Sequence, residues 1–171
     1  MELVIEQENE KDFPEIYELV KIAFQTARVS DGDEQDYVHK LRKSGNYIPE
    51  LALVIKDGPH IIGHIMLTKT LLIRNEERVE ALLLSPICTR LEYRNQGIGS
   101  KLIRYALAKA KELAYPAVFL VGNPAFYSRF GFRSIAEFGI KDNGKIPVEY
   151  IMALELELDF LGTKGGSIAI V

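Results

Sequence analysis

The chain of 171 residues has one cysteine and no tryptophan. A lone Cys88 forbids an intrachain disulfide and any metal site that needs two cysteine ligands, and it points to a reducing compartment, the cytoplasm. His39, His60 and His64 are scattered without metal-ligand spacing, so no metal is expected. No apolar run approaches the roughly 18 residues of a membrane span, and residues 1–10 are acidic where a secretory leader is basic and then apolar, so neither membrane nor export is expected. Positive charge does not dominate either: 21 Lys+Arg face 24 Asp+Glu, a net charge of −3. That balance argues against nucleic acid, which is held by Lys and Arg on phosphate.

The chain does have enough apolar material, 47% of its residues, to bury a core without staples, and its length fits one domain over residues 1–171. Charge is unevenly placed. Residues 1–36 hold eleven acids against Lys11, Lys21 and Arg28. This region reads as a solvated acidic surface, or as a lip that attracts a cationic substrate. From Arg90 to Arg104 the bases Arg90, Arg94, Lys101 and Arg104 face only Glu92 around a glycine turn, which is where an anion is expected.

Hydrophobic spacing lays out the elements. A strand over 3–6 precedes Asp12-x-x-Glu15, a capping box for a helix whose inward face is Phe13, Ile16, Tyr17, Val20, Ala23 and Phe24. Asp31-x-x-Glu34 opens a second helix ending near Ser44-Gly45. Strands over 51–56 and 61–67 flank Asp57-Gly58-Pro59 as a hairpin, and a longer strand over 79–89 is apolar on both faces at 81–84. Ser85-Pro86 interrupts its ladder, which suggests that a neighbouring strand diverges there or that the strand bulges, and either leaves backbone groups free for a ligand. The clearest helix starts at Ile98, with Leu102, Ile103, Ala106, Leu107, Ala110 and Leu113 inward, and ends before Pro116. A buried strand over 117–121 leads to Asn123-Pro124, an N-cap and first-turn proline for a short helix that Gly131 stops. Strands over 132–135 and 150–156 follow, with an edge over 167–171. Strand, crossover helix and strand imply a mixed sheet with at least one parallel pair. The sequence does not set the oligomeric state, although the last strands, over 150–156 and 167–171, offer edges through which a homodimer could pair.

A strand, then Arg94-x-x-Gly97-x-Gly99, then an amphipathic helix suits a pyrophosphate. The first helical N–H groups lack intrahelical partners and carry partial positive charge, and glycine lets an anion approach the backbone. The dinucleotide fingerprint fails because position 102 is Leu, and no Gly-Lys-Ser/Thr follows for a Walker A loop.

The run Leu84-Ser85-Pro86-Ile87-Cys88-Thr89-Arg90-Leu91-Glu92-Tyr93-Arg94-Asn95-Gln96-Gly97-Ile98-Gly99-Ser100-Lys101-Leu102 closely resembles motif A of the GNAT superfamily of N-acetyltransferases. The run Gly122-Asn123-Pro124-Ala125-Phe126-Tyr127-Ser128-Arg129-Phe130-Gly131-Phe132 resembles the strand and helix that follow in motif B, in a subgroup of bacterial predicted acetyltransferases. The resemblance covers nearly the whole chain. It implies an α/β GNAT fold: a mixed central sheet of about six or seven strands, splayed at the acetyl-CoA site and flanked by about four helices. It also implies acetyl transfer from acetyl-CoA to an amine on a small molecule or peptide by direct attack, with no metal. Carried over position by position, Ile87, Cys88 and Thr89 line the pantetheine arm with backbone groups. Arg94, Asn95, Gln96, Gly97, Ile98, Gly99 and Ser100 hold the pyrophosphate. Asn123 contacts the arm, and Tyr127 is the general acid.

The chemistry needs help at both ends. An amine with pKa near 10.4 is neutral about one part in 2,500 at pH 7, so deprotonation costs about 4.6 kcal/mol. The departing thiolate, with a pKa near 8.5 in model thiols, needs a proton that a neutral Tyr hydroxyl supplies. The base is less legible. Many relatives carry a glutamate in the strand before motif A, where this chain has Leu82, Leu83 and Leu84; Glu80, Glu34 and Asp36 are substitutes, each also readable as a plain surface acid. Cys88, without a His partner in sequence, reads as core packing, and His64 as a structural histidine. The missing glutamate leaves open a non-catalytic CoA-binding sensor with the same fold, or an interaction module that has only inherited it.

Overall fold

The computed structural model describes residues 2–26 and 32–170. Nine strands and four α-helices occur among them. In chain order they are β1 (Leu3–Gln7), α1 (Phe13–Gln25), α2 (Glu34–Lys43), β2 (Ala52–Asp57), β3 (His60–Arg74), β4 (Glu77–Thr89), α3 (Ile98–Glu112), β5 (Ala117–Val121), α4 (Pro124–Tyr127), β6 (Arg133–Ser134), β7 (Ile140–Asp142), β8 (Ile151–Glu155) and β9 (Gly166–Ile168). The chain forms two compact units, residues 1–68 with 85–109 and residues 69–84 with 110–171. Each unit takes two stretches of chain, so no single cut separates them. Asp31 and Val171, named above at the start of a helix and the end of a strand, lie outside the described residues.

In the first unit β1 pairs antiparallel with β2 (Ile5 opposite Ile55), and β2 with β3 (Leu53 opposite Ile65). Asp57 and His60 pair at the tip, so Gly58-Pro59 makes the two-residue hairpin expected. Residues 52–55 and 61–67 are buried without alternation, as in strands covered on both faces. One cover is α1, with Ile16, Leu19, Val20 and Ala23 buried against Ala52, Val54, Ile61 and Met66. Tyr17 departs from the expected inward face: it is 37% exposed, and its hydroxyl donates to Asp36.

The helix start also differs from the expectation. Asp12 makes no cap bond at α1. It accepts instead from the Asn9 N–H at 3.1 Å in a capping box of the preceding 3-10 turn, and it pairs with Lys56 at 3.2 Å. Glu15 is drawn away to the Ile61 N–H and Arg90. A sequence pattern shows that acids stand three apart but not which turn they close.

Gly63 lets α3 lie against the sheet. A Cβ there would stand 2.8 Å from Ile55 Cγ2 and 3.0 Å from Leu102 Cδ1. Helix α3 presents its expected inward residues, Ile98, Leu102, Ile103, Ala106, Leu107 and Ala110, all buried.

In the second unit β4 runs parallel to β5 through Leu82–Val118 and Leu83–Phe119, β5 pairs antiparallel with β8, and β8 with β6. The β4–β5 ladder contains only those two pairs, although β5 continues to Val121. Strand β3 is twice the expected length: it runs on beside β4 to the Asn75-Glu76 turn, and β9, far away in sequence, pairs its end (Leu72 opposite Ile168). The β3–β4 turn uses Asn75 and Glu76, both at positive φ (52° and 67°), the backbone of a tight hairpin without glycine. Strand β7, three residues long and too short to show periodicity, pairs parallel with β9. The core gathers Leu72, Phe119, Ile135, Phe138, Ile151 and Leu161. Strand β8 has β5 and β6 as neighbours and β9 has β3 and β7, so the strands expected as edges for a second copy are already flanked within the chain. No helix among the described residues is long and apolar enough to cross a membrane.

Candidate functional site

Strand β4 ends in alternation: Pro86 and Cys88 are buried, while Ser85, Ile87 and Thr89 are half-buried on the other face. After a 3-10 turn over Leu91–Tyr93, Asn95 and Gly97 take positive φ (62° and 79°) and reverse the chain into α3. The first helical bond runs from the Lys101 N–H to the Gly97 carbonyl at 3.0 Å. The N–H groups of Ile98, Gly99 and Ser100 precede it and have no carbonyl one turn back. No acid occupies this first turn to neutralise the helix dipole.

The two glycines differ in purpose. Gly97 is required by its φ. Gly99 has ordinary backbone, and a Cβ there would meet only Thr89 Oγ1 at 3.8 Å and Ile87 Cδ1 at 4.0 Å, ordinary contact distances. No described residue requires position 99 to lack a side chain. With none there, an anion can come close to the backbone N–H groups at the start of α3.

The arginines expected around this turn are directed elsewhere. Arg90 donates from Nη2 to the Ile61 carbonyl at 2.8 Å and to Glu15 at 3.2 Å. Arg94 donates from Nη2 to the Ala23 carbonyl at 2.9 Å and from Nη1 to Thr26 Oγ1 at 3.3 Å, which caps the negative end of α1. The guanidinium thus ties the glycine turn to a helix 70 residues earlier. Gln96 donates to the Glu92 carbonyl, closing its own turn. Cys88 packs with the α1 core, and burial pushes its thiol up to about 12 despite the backbone of His64 and the charge of Arg94. It is therefore a thiol and not a nucleophile at neutral pH, and only its backbone is available to a ligand.

Asn123 and Tyr127 belong to the second unit. Asn123 caps α4, its Oδ1 accepting from the Ala125 N–H at 2.9 Å, which leaves its amide N–H groups to donate. Tyr127 sits edge-on to Phe126 (4.9 Å) and Phe132 (6.1 Å). Burial raises its pKa above that of an ordinary tyrosine, so it keeps its proton. No described residue hydrogen-bonds its hydroxyl, which is left for a ligand or solvent. Leu82 and Leu84, at the family's glutamate positions, are buried, whereas Glu80 and Asp36 are exposed. Among the described residues no cluster of three His, Cys, Asp or Glu is placed to hold a metal.

Composition hid one feature. Glu8, counted above with the acidic surface, has a fully buried side chain that accepts from Arg42 Nε (2.7 Å) and Nη2 (2.9 Å), Tyr47 Oη (2.8 Å) and His64 Nε2 (2.8 Å). Burial pushes its pKa up, but the bonds and charges of Arg42 and His64 outweigh that and hold it at about 2. The carboxylate only accepts, so the His64 Nε2–H donates to it, while Nδ1 is buried with no hydrogen-bond partner among the described residues. No signal in the sequence sets Glu8 apart from Glu6 and Glu10 on either side of it.

Comparison with known proteins gives a consistent result. Residues 5–135 match the family model described as an acetyltransferase (GNAT) domain. The uncharacterized N-acetyltransferase YhbS of Escherichia coli K12 is 30% identical over 130 residues, 76% of this chain and 73% of that protein. The crystal structure of E. coli YhbS in complex with CoA superposes with TM-score 0.85 at 26% identity, covering 99% of this chain and 89% of that one. A GNAT family acetyltransferase from Brucella melitensis in complex with acetyl-CoA gives 0.74 at 25% identity, covering 90% and 88%.

Proposed function

Because this chain belongs to the GNAT acetyltransferases, which move an acetyl group from acetyl-CoA to an amine, we propose that its motif A turn is the pyrophosphate site and that Tyr127 is the general acid. The observation that carries the reading is the bare turn at Gly99, where no described residue requires a glycine. Backbone N–H groups from Asn95 to Ser100 donate to the phosphate oxygens, favoured by the positive end of α3. Arg94 holds that turn against α1 and adds its charge. Ile87, Cys88 and Thr89 offer backbone groups to the pantetheine arm, Asn123 offers its free amide N–H groups, and an N–H near Thr89 stabilises the oxyanion. The thioester, when bound, supplies the activated acyl group. Tyr127, neutral at pH 7 as a tyrosine is and held more firmly so by burial, gives its proton to the departing sulfur.

The acceptor is an amine on a small molecule or peptide, and the exposed acids Glu10, Glu18, Asp33 and Asp36 favour a cationic one. Polyamines, aminoglycosides and basic peptides are the classes to try. Their advantage over neutral amines should shrink as salt rises; equal rates at every ionic strength would remove the idea. The enzyme is placed in the cytoplasm, the compartment that fits one unpaired, reduced cysteine.

The test is a calorimetric titration with acetyl-CoA on the wild type and on Gly99→Val, a substitution the backbone tolerates. Micromolar binding lost in a folded variant supports the site. Undiminished binding to Gly99→Val removes it. Binding without thiol release across the amine panel favours the sensor reading over catalysis.

A further inference from the structure

Gly122 opens the connection from β5 to α4, five residues before Tyr127, and an edge of the tyrosine ring packs against it. A Cβ at this position would lie 2.7 Å from Tyr127 Cδ2, closer still to Cε2, and 3.3 Å from Leu120 Cδ1. The backbone itself does not call for glycine. Gly122 is not among the residues at positive φ, and its N–H bond to the Tyr150 carbonyl at 2.9 Å would survive in alanine. Among the described residues the group that excludes a side chain most strongly is the aromatic ring, with the Leu120 methyl, the end of a flexible side chain, second.

From this contact we infer that Gly122 is a positioning residue for Tyr127, its missing side chain leaving the space into which the Cδ2–Cε2 edge of the ring packs. The inference rests on the reading of Tyr127 as the acid. The ring has little room elsewhere, since Phe126 and the buried Phe132 stand edge-on to it and the Tyr127 N–H is held by the Asn123 carbonyl at 3.1 Å. The hydroxyl has no described hydrogen-bond partner, so packing of the ring is what sets its place. A ring pushed out to ordinary carbon contact, about 3.5 Å, carries the hydroxyl about 1 Å away. Misplacement of that size in a reacting group costs up to about a hundredfold in rate.

The experiment is a double-substitution cycle with two readouts. Thiol release from acetyl-CoA is followed with the polyamine, aminoglycoside and peptide panel. Gly122→Ala should lower kcat about tenfold or more with KM for acetyl-CoA within twofold, and Gly122→Ala/Tyr127→Phe should be no slower than Tyr127→Phe alone. A loss that multiplies in the double variant overturns the inference, and so does an unchanged kcat in Gly122→Ala while Tyr127→Phe is slow. If Tyr127→Phe is as fast as wild type, the acid reading fails and the catalytic half of the inference with it. Melting temperatures decide the packing half without any activity. Gly122→Ala should lower Tm by about 3 to 10 °C in the wild type and leave it unchanged or raised in a Tyr127→Ala background, where the ring is gone. An equal fall in both backgrounds means that the glycine serves something other than the ring.

Discussion

Glu8→Gln removes a charge but little volume, and it isolates the buried network that joins β1, α2, the turn at Tyr47 and β3. Two independent routes give the cost. The Arg42 side chain is 9% exposed and the Glu8 side chain 0%, so neutralising Glu8 leaves a guanidinium out of water without its counter-charge; breaking such a buried pair costs about 3 to 5 kcal/mol. The shift of Glu8 from 4.5 in a free chain to about 2 in the fold corresponds to about 3 kcal/mol of preference for the ionised form. For a chain of this length about 3 kcal/mol is a fall in Tm of about 6 to 12 °C. The folded pKa lies below the unfolded one, so this stabilisation is complete above about pH 4.5 to 5 and drains away as pH falls toward 2. Urea unfolding followed by circular dichroism at a series of pH values checks both statements. The difference between wild type and variant should be flat from pH 7 to about 5 and close as pH drops. A loss under about 1 kcal/mol at pH 7, or a difference that persists unchanged to pH 2, would refute the reasoning.

Other outcomes follow from the same geometry. Tyr127→Phe should lower kcat at least about tenfold with acetyl-CoA affinity unchanged, measured by thiol release beside calorimetry; wild-type turnover would take Tyr127 out of the mechanism. Because burial raises the Tyr127 pKa, the kcat profile of the wild type should show no basic limb below about pH 10, and a fall near neutrality would assign the acid to another group. Arg94→Gln loses the cap on α1 and should cost about 1 to 2 kcal/mol of stability, with acetyl-CoA binding weakened most at low salt. A binding loss independent of salt would confine Arg94 to holding the helix. Cys88, 7% exposed and with its thiol raised to about 12, should react with a disulfide reagent only as fast as the protein opens; rapid labelling of the native protein would contradict its place in the core.

Elements whose information is local were legible in the sequence. Helix α3 repeats its apolar residues through four turns, and Asn123-Pro124 with Gly131 marks both ends of the short helix and the turn that continues it. Those spacings set backbone geometry directly. The Asp12-x-x-Glu15 box did not survive, because Lys56 and the Ile61 N–H, both distant in sequence, offered those carboxylates better partners. The far half of β3 was missed because Thr68-Lys69-Thr70 breaks the apolar run, whereas β4 and, at Leu72 and Ile73, β9, almost a hundred residues on, carry the strand past that break.

The candidate site divides the same way. The order of residues by itself determined that two glycines open α3, that an asparagine caps the helix holding Tyr127, and that the chain carries motifs A and B of a known family. Only the tertiary structure decided which glycine is held by its own backbone and which stands bare, that Arg94 reaches back to α1, that Glu8 is the most buried acid and not a surface one, and that Gly122 lies against an edge of the Tyr127 ring. The physical reason is range. Backbone propensity and capping act over four or five residues, whereas charge pairing and ring contact depend on where the chain returns in space, and one sequence pattern fits many such returns.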